Sequence, residues 1–243
     1  MMDQFEKALY IARKDIRVYY LKAPNLTYGL LMPLALYLAF GVSGNLATTT
    51  LISGLVSLVV LFGSTSIEAV AVVSERTTGT FERLLTAPVT LRWILLGKAL
   101  GGSAFGPVLA ILALGTVTLL SGANVAGPIA VLVAVAVSSF AFACLGILAS
   151  AYSKWIPEAQ MYSNFLRFPM AFLGGAFIPV ESMPEALRLF SRFLPLTYSI
   201  EALREAMAKS MPTETYLLDL LVLAAFSAAC LLWGERVLKK RLG

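Results

Sequence analysis

Residues 23–67 read APNLTYGLLMPLALYLAFGVSGNLATTTLISGLVSLVVLFGSTSI, 45 consecutive positions without Asp, Glu, Lys or Arg. One helix crossing a bilayer takes about 20 predominantly apolar residues, so this stretch holds two helices and the turn between them. Residues 99–153 form a second uncharged stretch, of 55 positions, that divides in the same way. The two dividing segments, Ser43–Ala47 and Ser121–Gly127, contain Gly and Asn and carry no charge. Backbone polar groups in hydrocarbon must be paired within their own segment, which makes helices the expected spanning element. A barrel would need repeated stretches of about ten alternating residues, and these runs do not alternate.

Working outward, the pattern predicts an all-α integral membrane protein of one domain, residues 1–243, with six spans. They run over Leu26–Val42, Thr48–Val73, Trp93–Leu120, Val125–Ala151, Glu158–Val180 and Tyr216–Trp233. Composition agrees: 58% of residues are hydrophobic and 14% charged, against about a quarter charged in a soluble domain. The net charge of +5 does not indicate nucleic acid, because the basic residues flank apolar segments instead of forming one face. With the N-terminus taken as cytoplasmic, 14 of the 19 Lys and Arg fall in inner segments. Four (Arg188, Arg192, Arg204, Lys209) are outer, and Arg167 is intramembrane. This asymmetry places both termini inside a multi-pass protein of the cell membrane. Trp93, Trp155 and Trp233 fall at the same inner boundaries, where indole rings prefer to sit.

Before the first span, residues 3–22 have helical periodicity, with Phe5, Leu9, Ala12, Ile16 and Tyr19 on one face. They suit an amphipathic helix lying in the headgroup plane or packed on a partner. About 20 residues preceding the first apolar run do not read as a cleavable leader. Cys144 and Cys230 lie in apolar stretches and read as small packing residues. Gly97, Gly101, Gly102 and Gly106 place small residues at four-residue spacing on the third span. This permits close helix approach, within the subunit or between subunits.

Three features carry functional expectations. The inner segment 74–90 contains Glu75, Arg76, Gly79, Thr80, Glu82, Arg83 and Pro88. Gly79 breaks the helix, Thr80 can cap a new short one and Pro88 stops it, so that Glu82, Arg83 and Leu84 face the cytoplasm; Thr90 then caps the third span. The outer segment 181–214 follows a Gly174-Gly175 break and Pro179. Ser182 and Glu185 fit a capping box after which a helix runs until Pro195, and a second helix starts after Thr197. Between spans five and six these two short helices can re-enter the outer leaflet as a lid. Glu68 and Arg167, both intramembrane, either pair or snorkel separately.

The Glu75-Arg76…Gly79-Thr80…Glu82…Leu85…Pro88 pattern resembles the first cytoplasmic loop of the ABC type-2 permease family. The outer pattern Phe177-Ile178-Pro179…Pro184…Leu187…Pro195-Leu196-Thr197-Tyr198…Glu201-Ala202-Leu203-Arg204 resembles that family's outer segment. The resemblance implies a permease dimer, of two copies or of paralogues, working with an ABC ATPase subunit. Such an assembly exports a drug, lipid, polysaccharide or similar amphiphile. It also implies that the 74–90 loop meets the ATPase and that Gly174, Gly175, Pro179, Pro184, Pro195 and Tyr198 belong to an outer gate.

No G-x-x-x-x-G-K-[ST] occurs in the sequence, so ATP and Mg are expected on the partner subunit, with no cofactor held here. The absence of His removes His-ligated metals and His-based dyads. A membrane-embedded enzyme would have only Glu68, Arg167 and Asp219 to work with, and a secondary transporter or channel uncoupled from ATP is the alternative transport reading. Internal repeats with paired interrupted helices would mark the latter, and only the fifth span reads as interrupted.

Overall fold

The computed structural model describes residues 3–20, 35, 48–122, 125–210 and 213–242. Every regular element among them is helical: α1 (Gln4–Asp15, continued by a π-helical stretch Ile16–Tyr20), α2 (Thr48–Thr77), α3 (Thr80–Leu85), α4 (Leu91–Ser121), α5 (Pro128–Tyr152), α6 (Ile156–Leu173), α7 (Glu185–Ser191), α8 (Pro195–Ala208) and α9 (Glu214–Leu242). Four of these, α2, α4, α5 and α9, are long and apolar enough to cross a membrane. The expected first span, Leu26–Val42, and the Ser43–Ala47 turn lie outside the described residues. The expected fifth span is the 18-residue α6, about 27 Å long at 1.5 Å per residue. It ends at Gly174 and not at Val180, with Pro169 and the charged Glu158 and Arg167 inside it.

α5 is the axis of the bundle, packed by α2, α4 and α9. Its buried positions include Ala134, Ser138, Ala141, Ala143, Cys144, Gly146 and Ala151, small residues that let backbones approach where lipid supplies no hydrophobic drive to associate. Cys144 and Cys230 are buried free thiols. Phe142, Leu145 and Ile147 of α5 are buried as well, and many large apolar side chains also point outward: Ile111 and Leu119 on α4, Ile129 and Leu132 on α5, Phe165 and Phe172 on α6, and Leu217, Leu218 and Leu221 on α9. An apolar exterior is what hydrocarbon demands.

Pro107 sits within α4 and donates no hydrogen bond to the Ser103 carbonyl one turn earlier. Ser139 Oγ of α5 donates to that carbonyl at 3.0 Å and lies 2.9 Å from Ser64 Oγ of α2. A serine pair thus closes the break that proline opens and joins three spans at one point.

Gly97, Gly101 and Gly106 of α4 pack within the chain. A Cβ on Gly97 would stand 2.5 Å from the Ala8 carbonyl oxygen, and one on Gly101 3.3 Å from that of Ala12. Gly106 faces Ser139. α1 therefore lies directly on the first turns of α4. Its buried residues are Ala8, Ile11, Ala12 and Asp15, so of the expected face Ala12 is buried while Phe5 and Leu9 are exposed. The small side chains, not the large ones, fit the glycine groove; Phe5 instead stands edge-on to Trp93, ring centres 6.3 Å apart.

Candidate functional site

The ends of α2, α5 and α9 and the start of α4 converge at one end of the bundle, together with α1 and α3. α2 continues to Thr77, four residues past its expected end at Val73, so Glu75 and Arg76 belong to its last turn and not to the connecting loop. Arg76 donates to the Ser150 and Ser153 carbonyls at 3.2 and 3.1 Å. It thereby caps the end of α5, adding a second donor to the Ser150 carbonyl, which already accepts the Ser153 N–H, and supplying one to the Ser153 carbonyl. Arg92 of α4 pairs with Glu235 of α9 at 2.7 Å, and Lys239 reaches the same carboxylate at 2.7 Å.

The turn to α3 is made by Gly79, whose φ of +71° is left-handed, a conformation costly for any residue with a Cβ. Gly79 is the N-cap position and Thr80 the first helical residue, so the cap lies one residue earlier than expected. α3 stops at Leu85, with its cap at Thr86, two residues before Pro88. Phe81 is fully buried against Ile11 and Ile94, with Leu84, Leu85 and Val89 around them. Leu84 therefore turns inward while Glu82 and Arg83 are exposed. Lys7 Nζ donates to the Pro88 carbonyl at 2.8 Å and Gln4 Nε2 at 3.3 Å. Gln4 Oε1 accepts from the Thr90 N–H at 3.4 Å. Thr90 occupies the N-cap of α4 without a side-chain cap; its carbonyl accepts from Trp93 N and Ile94 N. The segment is thus held as a rigid connector with one charged face outward.

Behind it lies a charge cluster that sequence reading did not assemble. Lys98 Nζ is 3.1 Å from Asp15 Oδ2 and 2.5 Å from Glu75 Oε2. Lys14 Nζ lies 2.9 Å from Asp15 Oδ1 and also pairs with Glu75. Lys98, Asp15 and Glu75 are all but inaccessible, and Glu68 adds a further negative charge to the surroundings of Lys98. Two cations meet two anions contributed by α1, α2 and α4. The sequence did carry signals: Asp15 continues the Ala8, Ile11, Ala12 stripe, and Lys98 stands alone among apolar residues.

Deeper in the bundle, Arg167 is 2% exposed. Its guanidinium donates to the Phe62 carbonyl (3.1 Å), Asn164 Oδ1 (2.6 Å) and Ser66 Oγ, and its carbon lies 4.8 Å from the Phe62 ring centre. Glu68 is fully buried, six residues along α2 from Phe62, with a Gly146 Cβ position 3.2 Å from its own Cβ.

At the opposite end, α6 stops at Gly174, and Gly175 has a φ of +94°. Pro179 precedes a 3-10 turn, Val180–Ser182. Ser182 does not cap α7: its hydroxyl donates to the Pro179 carbonyl at 2.8 Å, and α7 starts behind Pro184. Nor does Pro195 end that helix, which stops at Ser191; it opens α8 at the first turn, where a missing N–H costs nothing. Tyr198 Oη donates to the Arg192 carbonyl at 2.6 Å and Thr197 Oγ1 to that of Ser191 at 2.8 Å, tying the two short helices together. α8 is mostly buried, with Leu196, Ile200, Leu203 and Met207 in the core. Its Ser199 lies 3.2 Å from Ser57 of α2. A cavity of about 250 Å³ lies over it, lined in part by Glu181, Arg188, Arg192, Tyr198 and Glu201. Burial raises the Glu201 carboxyl above its ordinary range, while its backbone hydrogen bond and Arg204 hold Glu181 below.

The sequence pattern of the ABC-2 type transporter family matches residues 9–208, from α1 through α8. This chain belongs to the ABC-2 type transporter family. Nodulation protein J of Sinorhizobium fredii (strain NGR234) is 30% identical to this ABC-2 chain over 207 residues, 85% of the chain and 75% of that relative. ABC transporter G family member 20 of Dictyostelium discoideum is 32% identical over 164 residues, 65% of the chain and 22% of the relative. Inner membrane transport permease YadH of Escherichia coli (strain K12) is 26% identical over 123 residues, 51% of the chain and 48% of the relative. The ABC-2 chain is accordingly a multi-pass membrane subunit of an ABC transporter and acts in transport, not catalysis.

Proposed function

We propose that this chain is the permease subunit of an exporter powered by a separate ABC ATPase, which binds the ATP and Mg. Two permease copies, or this chain and a paralogue, would form the pathway for an amphiphile such as a drug, lipid or polysaccharide. The single observation that carries the coupling is α3: a short helix set by a left-handed Gly79, anchored through Phe81, and exposing Glu82 and Arg83. A rigid element transmits a partner's movement where a floppy connector absorbs it. α3 sits between α2 and α4, and the Lys98 cluster adds α1 to the same unit. The inward side is assigned from the 14 to 4 distribution of basic residues, with both termini cytoplasmic in the cell membrane. α1 then lies along the inner interface with Phe5, Leu9 and Tyr10 toward lipid. α7 and α8 form the outer closure, hinged at Gly174-Gly175.

The test is co-expression with a P-loop ATPase encoded beside this gene, followed by co-purification and substrate-stimulated hydrolysis. Glu82→Ala should insert normally, yet release or uncouple the ATPase and lower export about tenfold for about 1.4 kcal/mol of coupling lost. Wild-type capture and efflux in Glu82→Ala would remove α3 from the coupling path.

A further inference from the structure

Between the ends of α5 and α9 the surface opens into a groove of about 760 Å³ whose lining combines two chemistries. Along α9 its lining is an apolar floor at Ala229 and Leu232, followed by Arg236, Lys239 and Lys240 with Val237 among them. Trp233 and Tyr152 stand between the two zones, the indole N–H donating to the tyrosine hydroxyl at 2.8 Å. Among the described residues no acidic side chain lines the groove. Lys239 is engaged by Glu235 at 2.7 Å, but that carboxylate also serves Arg92, and among the described residues no carboxylate pairs with Arg236 or Lys240. Arg76 and Arg241 both donate to the Ser153 carbonyl, which adds two guanidinium groups within a turn of Tyr152.

Distances along α9 match the layers of a bilayer. Trp233 to Lys240 spans about 10 Å at 1.5 Å per residue, so with the indole at the interface the ammonium groups lie in the headgroup layer. A free phosphate would have no use for the apolar floor, and a protein partner would leave it facing acyl chains. Basic pockets beside spanning helices suit anionic headgroups.

We propose that this groove is a binding site for one anionic phospholipid, its phosphate beneath Arg236 and Lys240 and an acyl chain along Ala229 and Leu232. The site rests on α9 crossing a bilayer and needs no ATP coupling, so its test reads lipid and not transport.

The full-length protein in detergent micelles is titrated with phosphatidylglycerol or phosphatidylcholine and the bound lipid counted by native mass spectrometry. The wild type should prefer phosphatidylglycerol. Each basic side chain near an anionic headgroup is worth about fivefold, so R236Q/K240Q should weaken that lipid about thirtyfold and leave phosphatidylcholine unchanged. R236K/K240R, with the charges kept, should restore the preference. A229W, which fills the floor and keeps every charge, should weaken both lipids. An unchanged phosphatidylglycerol affinity in R236Q/K240Q overturns the proposal. Full competition by inorganic phosphate, with A229W silent, overturns it in favour of a bare anion site. Loss of ATPase capture in R236Q/K240Q with lipid binding intact overturns it in favour of a protein-docking face.

Discussion

Lys98 and Asp15, separated by 83 positions in the chain, face each other at 3.1 Å with neither side chain reaching solvent. Removing one partner of a buried ion pair leaves the other charge uncompensated, at a cost of about 3–5 kcal/mol. Lys98→Met should therefore lower the midpoint of thermal unfolding in micelles, because among the described residues Asp15 and Glu75 would keep only Lys14. Glu75→Gln in that background should recover part of the loss, since Lys14 then faces one of its two carboxylates and not both. Strict additivity of the two substitutions would show that these groups do not form one unit.

Gly79 offers a cleaner separation of backbone from packing. No atom lies within 4 Å of the position a Cβ would take, while φ is +71°. Any effect of substitution is then conformational. Asn tolerates left-handed angles better than β-branched residues, so Gly79→Asn should retain ATPase capture and Gly79→Val should lose it at equal expression. Equal capture by the two variants would mean that the left-handed turn does not set the coupling surface.

The serine that answers Pro107 gives a third test. Ser139→Ala would leave the Ser103 carbonyl without its donor, a loss of about 1 kcal/mol on the scale of interhelical bonds in membranes. Pro107→Ala returns a backbone N–H to α4, so Ser139→Ala should cost less in that background. The comparison is read from urea or SDS unfolding of the four variants, and an equal cost in both backgrounds would exclude this role for Ser139.

How much of this the sequence discloses depends on the kind of signal. Three of the four long apolar helices, α2, α4 and α5, lie largely in charge-free stretches, because hydrocarbon sets a length that residues 99–153 visibly exceed, and α9 follows from a shorter apolar run ending at a basic cluster. The broken connector around Gly79 was equally legible, since glycine and proline act locally. Helix ends were not: Glu75 and Arg76 join α2 because a lysine on α4 and two carbonyls of α5 receive their charges, and those partners are more than 20 residues away. What α1 rests on was not legible for a related reason. Periodicity groups Phe5 and Leu9 on its apolar face, and they are exposed, while a groove floored by glycine on α4 accepts Ala8 and Ala12. Proline at 195 has two meanings, stop and start, and only the tertiary position of α8 decides between them.

That glycine groove yields the last prediction, in which one substitution should act with opposite sign at two places on one helix. In a helix interior Gly→Ala is favourable by about 0.8–1 kcal/mol, through backbone entropy alone. Gly115 of α4 has nothing within 4 Å of its Cβ position, so Gly115→Ala should raise the thermal midpoint or leave it unchanged. Gly97 has the Ala8 carbonyl oxygen at 2.5 Å and the Ile11 Cβ at 3.1 Å from the same position. The added methyl cannot be absorbed by a side-chain rotation, because the nearest atom is backbone, so α1 as a whole must move away. Since Lys98 is the next residue, that displacement also lengthens its contact with Asp15. Gly97→Ala should thus destabilise the protein and expose the N-terminal helix to limited proteolysis after Lys7 or Arg13. A Gly97→Ala variant as stable and as protease-resistant as Gly115→Ala would show that α1 does not rest on α4 through this groove.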